Sequence, residues 1–195
     1  MNTTLTYYQT HAAEFAQSTL DVDVSALYAE FEPLLPQNAK VLDAGCGAGR
    51  DLKYFTSKGH NAIGIDASSN LVDIAKQQSG CNVLCKTFEQ ISWQNEFDGI
   101  WCCASLLHVP TNQLTDVFKR LETALKPQGV LYVSFKYGSE EKERNGRWFR
   151  DLNEQLLTEY LLSVPKLKIK KHWITGDARP GRADEKWLNA ILLKE

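Results

Sequence analysis

From Lys40 onward the chain alternates short β-rich runs with stretches in which apolar residues recur every three or four positions. Strands are predicted at about 40–44, 61–65, 82–86, 97–103 and 129–136. Between the last two, the segment 112–126 carries Leu114, Val117, Phe118, Leu121 and Leu125. That spacing is one apolar stripe of an amphipathic helix lying on a sheet. Weaker stripes run through Leu52 and Phe55 and through Leu71, Ile74 and Ala75. Strand and helix in alternation predict βαβ units and a largely parallel sheet.

The flanks read differently. The first 35 or so residues are expected to be helical, anchored by Phe15, Leu27 and Phe31 and ended by Pro33 and Pro36, which makes 1–36 an N-terminal cover. After a core at 37–136, the polar stretch YGSEEKERNGR is expected to form a mobile lid or loop within 137–150. A helix at about 152–163 follows, with Asp151 and Glu154 spaced as a capping box. Two last strands, about 166–174 and 185–193, flank the turn-rich GDARPGRAD and predict a terminal antiparallel hairpin. With 43% hydrophobic residues among 195, the chain can build one core covered on both faces of a sheet. The expected fold is therefore a single α/β domain, a Rossmann-like three-layer α/β/α sandwich on a mostly parallel seven-stranded sheet, with the hairpin at its C-terminal end.

Charge and composition narrow the partners. A balance of 22 basic against 24 acidic residues leaves a net charge of -2, which offers no bulk attraction to phosphate backbones or anionic lipid. No nucleic-acid partner is expected. The opening MNTTLTYYQTHAAEF lacks a basic-then-apolar leader, and no apolar run approaches the roughly 20 residues of a bilayer crossing. The expected location is cytoplasmic, with no membrane association. Five cysteines, Cys46, Cys81, Cys85, Cys102 and Cys103, have no C-x-x-C spacing, so they read as reduced, mostly buried thiols without a disulfide framework or metal site.

The most informative stretch is Val41-Leu42-Asp43-Ala44-Gly45-Cys46-Gly47-Ala48-Gly49, where a buried strand breaks into alternate glycines before a helix. Backbone must pass close to something here. A dinucleotide fingerprint would read G-x-G-x-x-G, whereas this loop reads G-x-G-x-G with Arg50 at the position of the last glycine. Asp43, at the carboxyl end of its strand, would repel a pyrophosphate and favour a ligand carrying ammonium and sulfonium charges. Asp66 ends the next strand, where a carboxylate can take both hydroxyls of a ribose.

These segments resemble the class I S-adenosylmethionine-dependent methyltransferases, most closely the small bacterial type to which tellurite-resistance methyltransferases belong. VLDAGCGAGRD is similar to their first motif, GIDAS to their second-strand motif, FDGIWCCASLLHV to their fourth-strand segment and LKPQGVLYVSF to the turn entering their fifth strand. The resemblance covers about 37–136 well and the tail more loosely, through GRWF and EKWLNAILLK. It implies that Asp43 and Gly45 meet the methionine moiety of the cofactor, that Gly47 and Gly49 make room for it, and that Asp66 holds its ribose. Ala67 and Phe88 would pack beside the adenine. An acid often found just before that phenylalanine is Thr87 here, and Glu89 is the substitute. Ala104, Ser105 and Leu106 would lie near the sulfonium, and Tyr7 and Tyr8 resemble tyrosines that close over such sites, the alternative being packing residues of the first helix.

Methyl transfer from a sulfonium is an in-line displacement that needs positioning more than a base. If a base is used, His108 is the best placed histidine, following the fourth strand; the alternative is a structural histidine bonded to backbone before Pro110. Arg147, Arg179 and Arg182 fall in predicted loops and are candidates to clamp an anionic acceptor, or are solvated. Trp148 and Trp187 either line the acceptor pocket or pack. The N/D-P-P-Y/F tetrapeptide of base-methylating enzymes is replaced by Cys103-Ala104-Ser105-Leu106, which argues against nucleobase methylation. The expected activity is methylation of a small molecule, S-adenosylmethionine becoming S-adenosylhomocysteine. The alternatives are a non-catalytic module that binds this cofactor and a nicotinamide-dependent oxidoreductase.

Overall fold

A computed structural model describes residues 3–182 and 184–195. Ala183, within GDARPGRAD, lies outside the described residues. Five parallel strands form first: β1 (Lys40–Ala44), β2 (Asn61–Asp66), β3 (Asn82–Cys85), β4 (Phe97–Cys102) and β5 (Leu125–Lys136). Helices α4 (Arg50–Ser57), α5 (Ser69–Ser79) and α6 (Thr111–Ala124) connect them, after an N-terminal run of α1 (Thr3–Thr10), α2 (Ala12–Thr19) and α3 (Ser25–Phe31). Beyond β5 come β6 (Glu141–Arg144), β7 (Arg147–Arg150), α7 (Glu154–Leu161), β8 (Leu167–Gly176) and β9 (Lys186–Lys194). The main sheet has seven strands in the order β3-β2-β1-β4-β5-β9-β8, with β8 and β9 antiparallel. This is the sheet read from the sequence, including the terminal hairpin.

Strand alternation sorts the core into two layers. Leu42, Ile100, Leu131 and Val133 face α6 and α7, where the stripe Leu114, Val117, Phe118 and Leu121 is buried. Val41, Trp101 and Tyr132 face the other way onto Phe31, Leu52, Phe55 and Ala75. Trp101 and Tyr132 stack at 3.9 Å between centroids on adjacent strands.

Three local readings differ from the sequence expectation. The stretch expected to be a mobile loop is a two-stranded antiparallel hairpin, β6–β7, turned by Asn145 and Gly146 at φ +51° and +77°. Both central residues at positive φ make this the two-residue Asn-Gly turn that matches strand twist. The cap of α7 is Asn153, whose side chain accepts from Leu156 N–H at 2.9 Å; Asp151 is instead buried and accepts from Arg144 of β6. A partner with a full charge outcompetes a cap. Of the cysteines only Cys46 and Cys102 are buried, and Cys85 is exposed at the end of β3. Among the described residues no helix is long and apolar enough to cross a membrane.

The last strand is held by an ion within the protein. Lys194 Nζ is buried and donates to Asn95 Oδ1 and to the carbonyls of Glu122 and Leu125 at 2.7–3.0 Å, with Glu122 Oε1 at 3.1 Å. Those carbonyls end α6, where a cation is also favoured by the helix dipole. Replacing Lys194 with Met leaves these acceptors buried without a donor, and we expect a loss of about 2–4 kcal/mol in unfolding free energy, measured by urea denaturation.

Candidate functional site

Strand order reverses between β1 and β4, the place in an open α/β sheet where a crevice forms beyond the carboxyl ends of the strands. The loop after β1 enters it. Gly45 and Cys46 N–H both donate to Ile65 O, at 2.8 and 2.9 Å, and Gly47 N–H donates to Asp66 Oδ2 at 3.0 Å, so the loop is tied to the end of β2. Gly45, Gly47 and Gly49 have φ of +81°, +52° and +91°. A Cβ at Gly45 would collide with Ser105 Cβ, one at Gly47 would lie 3.1 Å from the Phe15 ring, and one at Gly49 would lie 3.0 Å from Ala75 Cα. The close approach that the glycines signal is thus made first of all by the chain itself.

Around this loop carboxylates outnumber cations. Asp43 is fully buried and its Oδ2 has no hydrogen-bond partner. Burial pushes its pKa well up, the nearby Asp51 and Asp66 adding to burial and Arg50 opposing it. Asp66 is also raised by burial, against N–H groups of Ser68, Gly47 and Ala67 that favour the carboxylate. Arg50 is already committed to Asp51, Nε to Oδ1 at 2.6 Å and NH2 to Oδ2 at 3.0 Å. The loop end of the crevice is therefore a place for positive charge.

The crevice opens into a cavity of about 690 Å³, within the range of about 300–1,000 Å³ typical of small-molecule sites. Of the residues singled out from the sequence, Gly45, Gly47, Asp66, Ala67 and Phe88 line its loop end, and Ala104, Ser105 and His108 the edge of β4. Tyr8, Arg147, Arg179, Arg182, Trp187 and Glu89 also line it. Asp43, Gly49, Leu106, Tyr7 and Trp148 do not. Asp43 is buried outside the cavity lining, and Gly49 packs on Ala75 of α5. Thr87 caps the short helix Phe88–Gln90. Among the described residues no group of three or more His, Cys, Asp or Glu is placed to hold a metal ion.

The roof comes from α1, α2 and the β6–β7 hairpin. Gln9 accepts from Ser68 Oγ and donates to Ser69 Oγ at the start of α5, and Phe15 closes over Gly47. Tyr8 OH and His108 Nε2 are 2.8 Å apart, and His108 Nδ1 is 2.6 Å from Trp148 O. A carbonyl can only accept, so Nδ1 carries the ring proton and Nε2 accepts from Tyr8. His108 thus has neither nitrogen free, and burial lowers its pKa to about 4, the Trp148 carbonyl opposing and Arg147 assisting. The tyrosine hydroxyl, with its proton turned to His108, presents lone-pair density to the cavity. Its own pKa is raised, by burial first and by Asp66, against Arg147.

At the far wall are the cations. Arg179 holds Asp177 in a two-point pair, Nε to Oδ1 at 2.9 Å and NH2 to Oδ2 at 2.5 Å, and Trp187 Nε1 donates to the same carboxylate at 3.1 Å. Burial pushes Asp177 up, but Arg179 outweighs it and holds the carboxyl at about 2. Lys136, at the end of β5, pairs with Glu185; its pKa is lowered by burial and by Arg179, Arg182 and Arg144, against Asp177. Sequence reasoning missed Gln9, Lys136 and Asp177. Lys136 was open to the rule already applied to β1, β2 and β4, that ligands gather at carboxyl ends of strands; Gln9 acts through Ser68 and Ser69, some sixty residues on, and gave no local signal, while Asp177 pairs with Arg179 two residues away inside a stretch that reads only as a turn.

Residues 41–129 match the family described as methyltransferase domain. A phosphoethanolamine N-methyltransferase of Plasmodium falciparum is 33% identical over 131 residues, 62% of this chain and 47% of its own length. The chain spans less than half the length of the first curated relatives it matches. Among solved structures, the 1,6-didemethyltoxoflavin-N1-methyltransferase of Burkholderia thailandensis, with 1,6-didemethyltoxoflavin and S-adenosylhomocysteine bound, aligns with a TM-score of 0.78 at 20% identity over 97% of this chain and 86% of that one. A TehB-like SAM-dependent methyltransferase of Corynebacterium glutamicum aligns at 0.73 and 22% identity over 95% and 99%.

The His108 geometry has a pH signature. With a folded pKa of about 4 against an unfolded value of about 6.5, the unfolded chain binds the proton more readily, so stability is fully present above pH 6.5 and falls as pH drops towards 4. The loss approaches about 3 kcal/mol, and urea denaturation from pH 7.5 to 4.5 should show it in the wild type and show it reduced by that amount in His108→Gln.

Proposed function

We infer that this chain, which belongs by family match and fold with the class I S-adenosylmethionine-dependent methyltransferases, methylates a small-molecule acceptor held between the β4 edge and the hairpin. The observation that carries the reading is the charge around the glycine loop: among the described residues Asp51 and Asp66 act on the buried Asp43 against Arg50, and Arg50 is spent on Asp51. Such a site suits a ligand bearing ammonium and sulfonium and opposes a pyrophosphate, which disfavours the nicotinamide reading. The orphaned Oδ2 of Asp43 fits the same ligand, whose positive charge would relieve the raised carboxyl.

On this reading Asp66 holds the ribose of the cofactor, Ala67 and Phe88 flank the adenine, and Gly45 and Gly47 let backbone approach the methionine portion. Ala104 and Ser105 border the transfer point, held by Ala104 N–H to Ser134 Oγ at 2.8 Å and Ser105 Oγ to Ala44 O at 2.7 Å. When bound, S-adenosylmethionine supplies a methyl group on a sulfonium, which passes in line to the acceptor as the sulfur–carbon bond breaks, leaving S-adenosylhomocysteine. The chain contributes position and dryness. Gln9, Tyr8 and Phe15 close the roof and keep water from the line of transfer. Tyr8 accepts a hydrogen bond from an N–H of a neutral amine acceptor and so aims its lone pair, and the ammonium formed on transfer sheds its proton to solvent as the product leaves. His108 is a positioning residue: with a pKa of about 4 it is a poor base at neutral pH, and it serves by accepting the hydrogen bond of the Tyr8 hydroxyl, which fixes where that oxygen points.

Calorimetric titration of S-adenosylmethionine, S-adenosylhomocysteine and NAD tests the cofactor. We expect the first two to bind at about micromolar Kd, NAD not to bind, and Asp66→Ala to lose about 1.5–3 kcal/mol. Binding of NAD, or equal binding by wild type and variant, defeats the reading. For the Tyr8 assignment, Tyr8→Phe should lower kcat by about ten- to a hundredfold, the scale of lost orientation, with cofactor affinity unchanged. An unaltered kcat would remove Tyr8 from the reaction.

A further inference from the structure

The cations on the cavity wall are not equivalent. Arg179 is spent on Asp177, Arg144 on Asp151 and Glu140, Lys136 on Glu185, and Arg182 leans towards Glu185 at 3.7 Å. Arg147 has no carboxylate within ion-pair distance among the described residues. Its guanidinium lies over Tyr7 at 4.5 Å, with Phe149 at 5.3 Å and Tyr8 at 5.8 Å, and its Nε is buried without a hydrogen-bond partner. Among the described residues the one polar contact of the group is a long one, NH1 to Tyr8 OH at 3.5 Å.

A guanidinium carries five N–H donors in a flat fork that fits an oxyanion at two points, and leaving them unmatched in a partly buried site is costly. The fold nevertheless invests in the position of this one. It is the first residue of β7, directly after the Asn145-Gly146 turn, and Gly146 sits against Tyr7 so closely that a Cβ there would touch the ring at 3.6 Å. Trp148 N–H donates to Thr4 Oγ1, which locks the hairpin to α1. Aromatic faces hold the cation flat while providing no counter-charge. Nearby, Arg179 and Arg182 add positive field that the carboxylates they face do not fully cancel, since Asp177 and Glu185 also serve Lys136.

We propose that Arg147 is the recognition point for an oxyanion group, a carboxylate or phosphate, on the methyl acceptor. The inference rests on the function proposed above and names the substrate class. Tyr8 lies within the electrostatic reach of both Arg147 and Asp66. It therefore stands between the anchor for the acceptor's negative group and the acidic end that suits the positively charged donor. An acceptor held by its anion at Arg147 presents a nucleophile next to Tyr8.

The test uses the ¹⁵N-labelled protein saturated with S-adenosylhomocysteine, titrated with inorganic phosphate and, as counter-probe at matched ionic strength, with tetramethylammonium chloride. We expect the Arg147 Nε–H resonance to shift saturably with phosphate at about millimolar concentration, the scale of a single charge-assisted site, and not with the counter-probe. Arg147→Met keeps the stem on the aromatic rings and removes the fork; phosphate affinity should fall at least about tenfold, while S-adenosylhomocysteine affinity stays within about twofold. An unmoved resonance, or equal phosphate binding by the variant, overturns the proposal. If S-adenosylhomocysteine itself fails to bind the wild type, the cofactor reading falls, and the same phosphate titration without it still decides the role of Arg147.

Discussion

One buried carboxylate organises the part of the molecule on which the site depends. Asp51, the second residue of α4, accepts from Tyr28 OH of α3 at 2.5 Å, from Trp101 Nε1 of β4 at 2.9 Å and from two nitrogens of Arg50. Burial alone would raise its pKa; Arg50, Tyr28 and Trp101 together hold it down, so it stays ionised inside the protein. A buried charge is tolerable only when paired and fully hydrogen-bonded, and its position near the start of a helix adds the dipole's favour. The consequence is geometric. Helix, strand and N-terminal cover are pinned to one point directly behind the glycine loop, and the loop has no freedom to spread.

The same network explains why the loop is not a phosphate cradle. Where a third glycine would let a helix N-terminus approach pyrophosphate, Arg50 folds back onto Asp51 and its positive charge is consumed within the protein. The loop end of the cavity is lined by the carboxyl groups of Asp51, Asp66 and Glu89, with Asp43 buried outside that lining. The far wall has the opposite balance, with Lys136, Arg147, Arg179 and Arg182 set against Asp177 and Glu185. The two ends come from different stretches of chain: the acidic end from the β1 and β2 termini, the basic end from the hairpin and the β8–β9 turn. Fold-level resemblance speaks for the first end only, because that is where the shared motifs lie.

What could be read from the residues follows the range of the interactions. The β1–β5 core was legible because its signals are local: apolar stripes, a glycine run, an acid at a strand end. The hairpin β6–β7 was not, although Asn145-Gly146 is itself a hairpin signal, because the flanking Glu-Lys-Glu-Arg has no apolar alternation to mark a strand. Its order comes from Arg144 on Asp151, Trp148 on Thr4 and the packing of Gly146 on Tyr7. Asp151 looked like a cap for the same reason in reverse: its true partner lies across the hairpin. Tyr8 was marked as a lid tyrosine, yet its pairing with His108, a hundred residues away, has no trace in spacing. His108 is bonded to backbone through one nitrogen, at Trp148 of the hairpin, and its other nitrogen is taken by Tyr8, which leaves neither free to act as a base.

Closure of the cavity has a physical order built into these contacts. The roof over the glycine loop is α1 and α2, attached to α5 by the hydrogen bonds of Gln9 and Asn70, several of them exposed to solvent. Exposed hydrogen bonds with little apolar burial beneath them open at low cost, so this is the wall that yields. The hairpin is tied to the same wall through Thr4 and Tyr7. Tyr8, Thr4 and Tyr7 thus join α1 to His108 and to the hairpin that carries Arg147, which makes them one wall. On the proposed function, a ligand at the acidic end would pack under the same wall that sets Tyr8 beside Arg147, where the acceptor would be held. By linkage each ligand should then favour the other, without any direct contact between them.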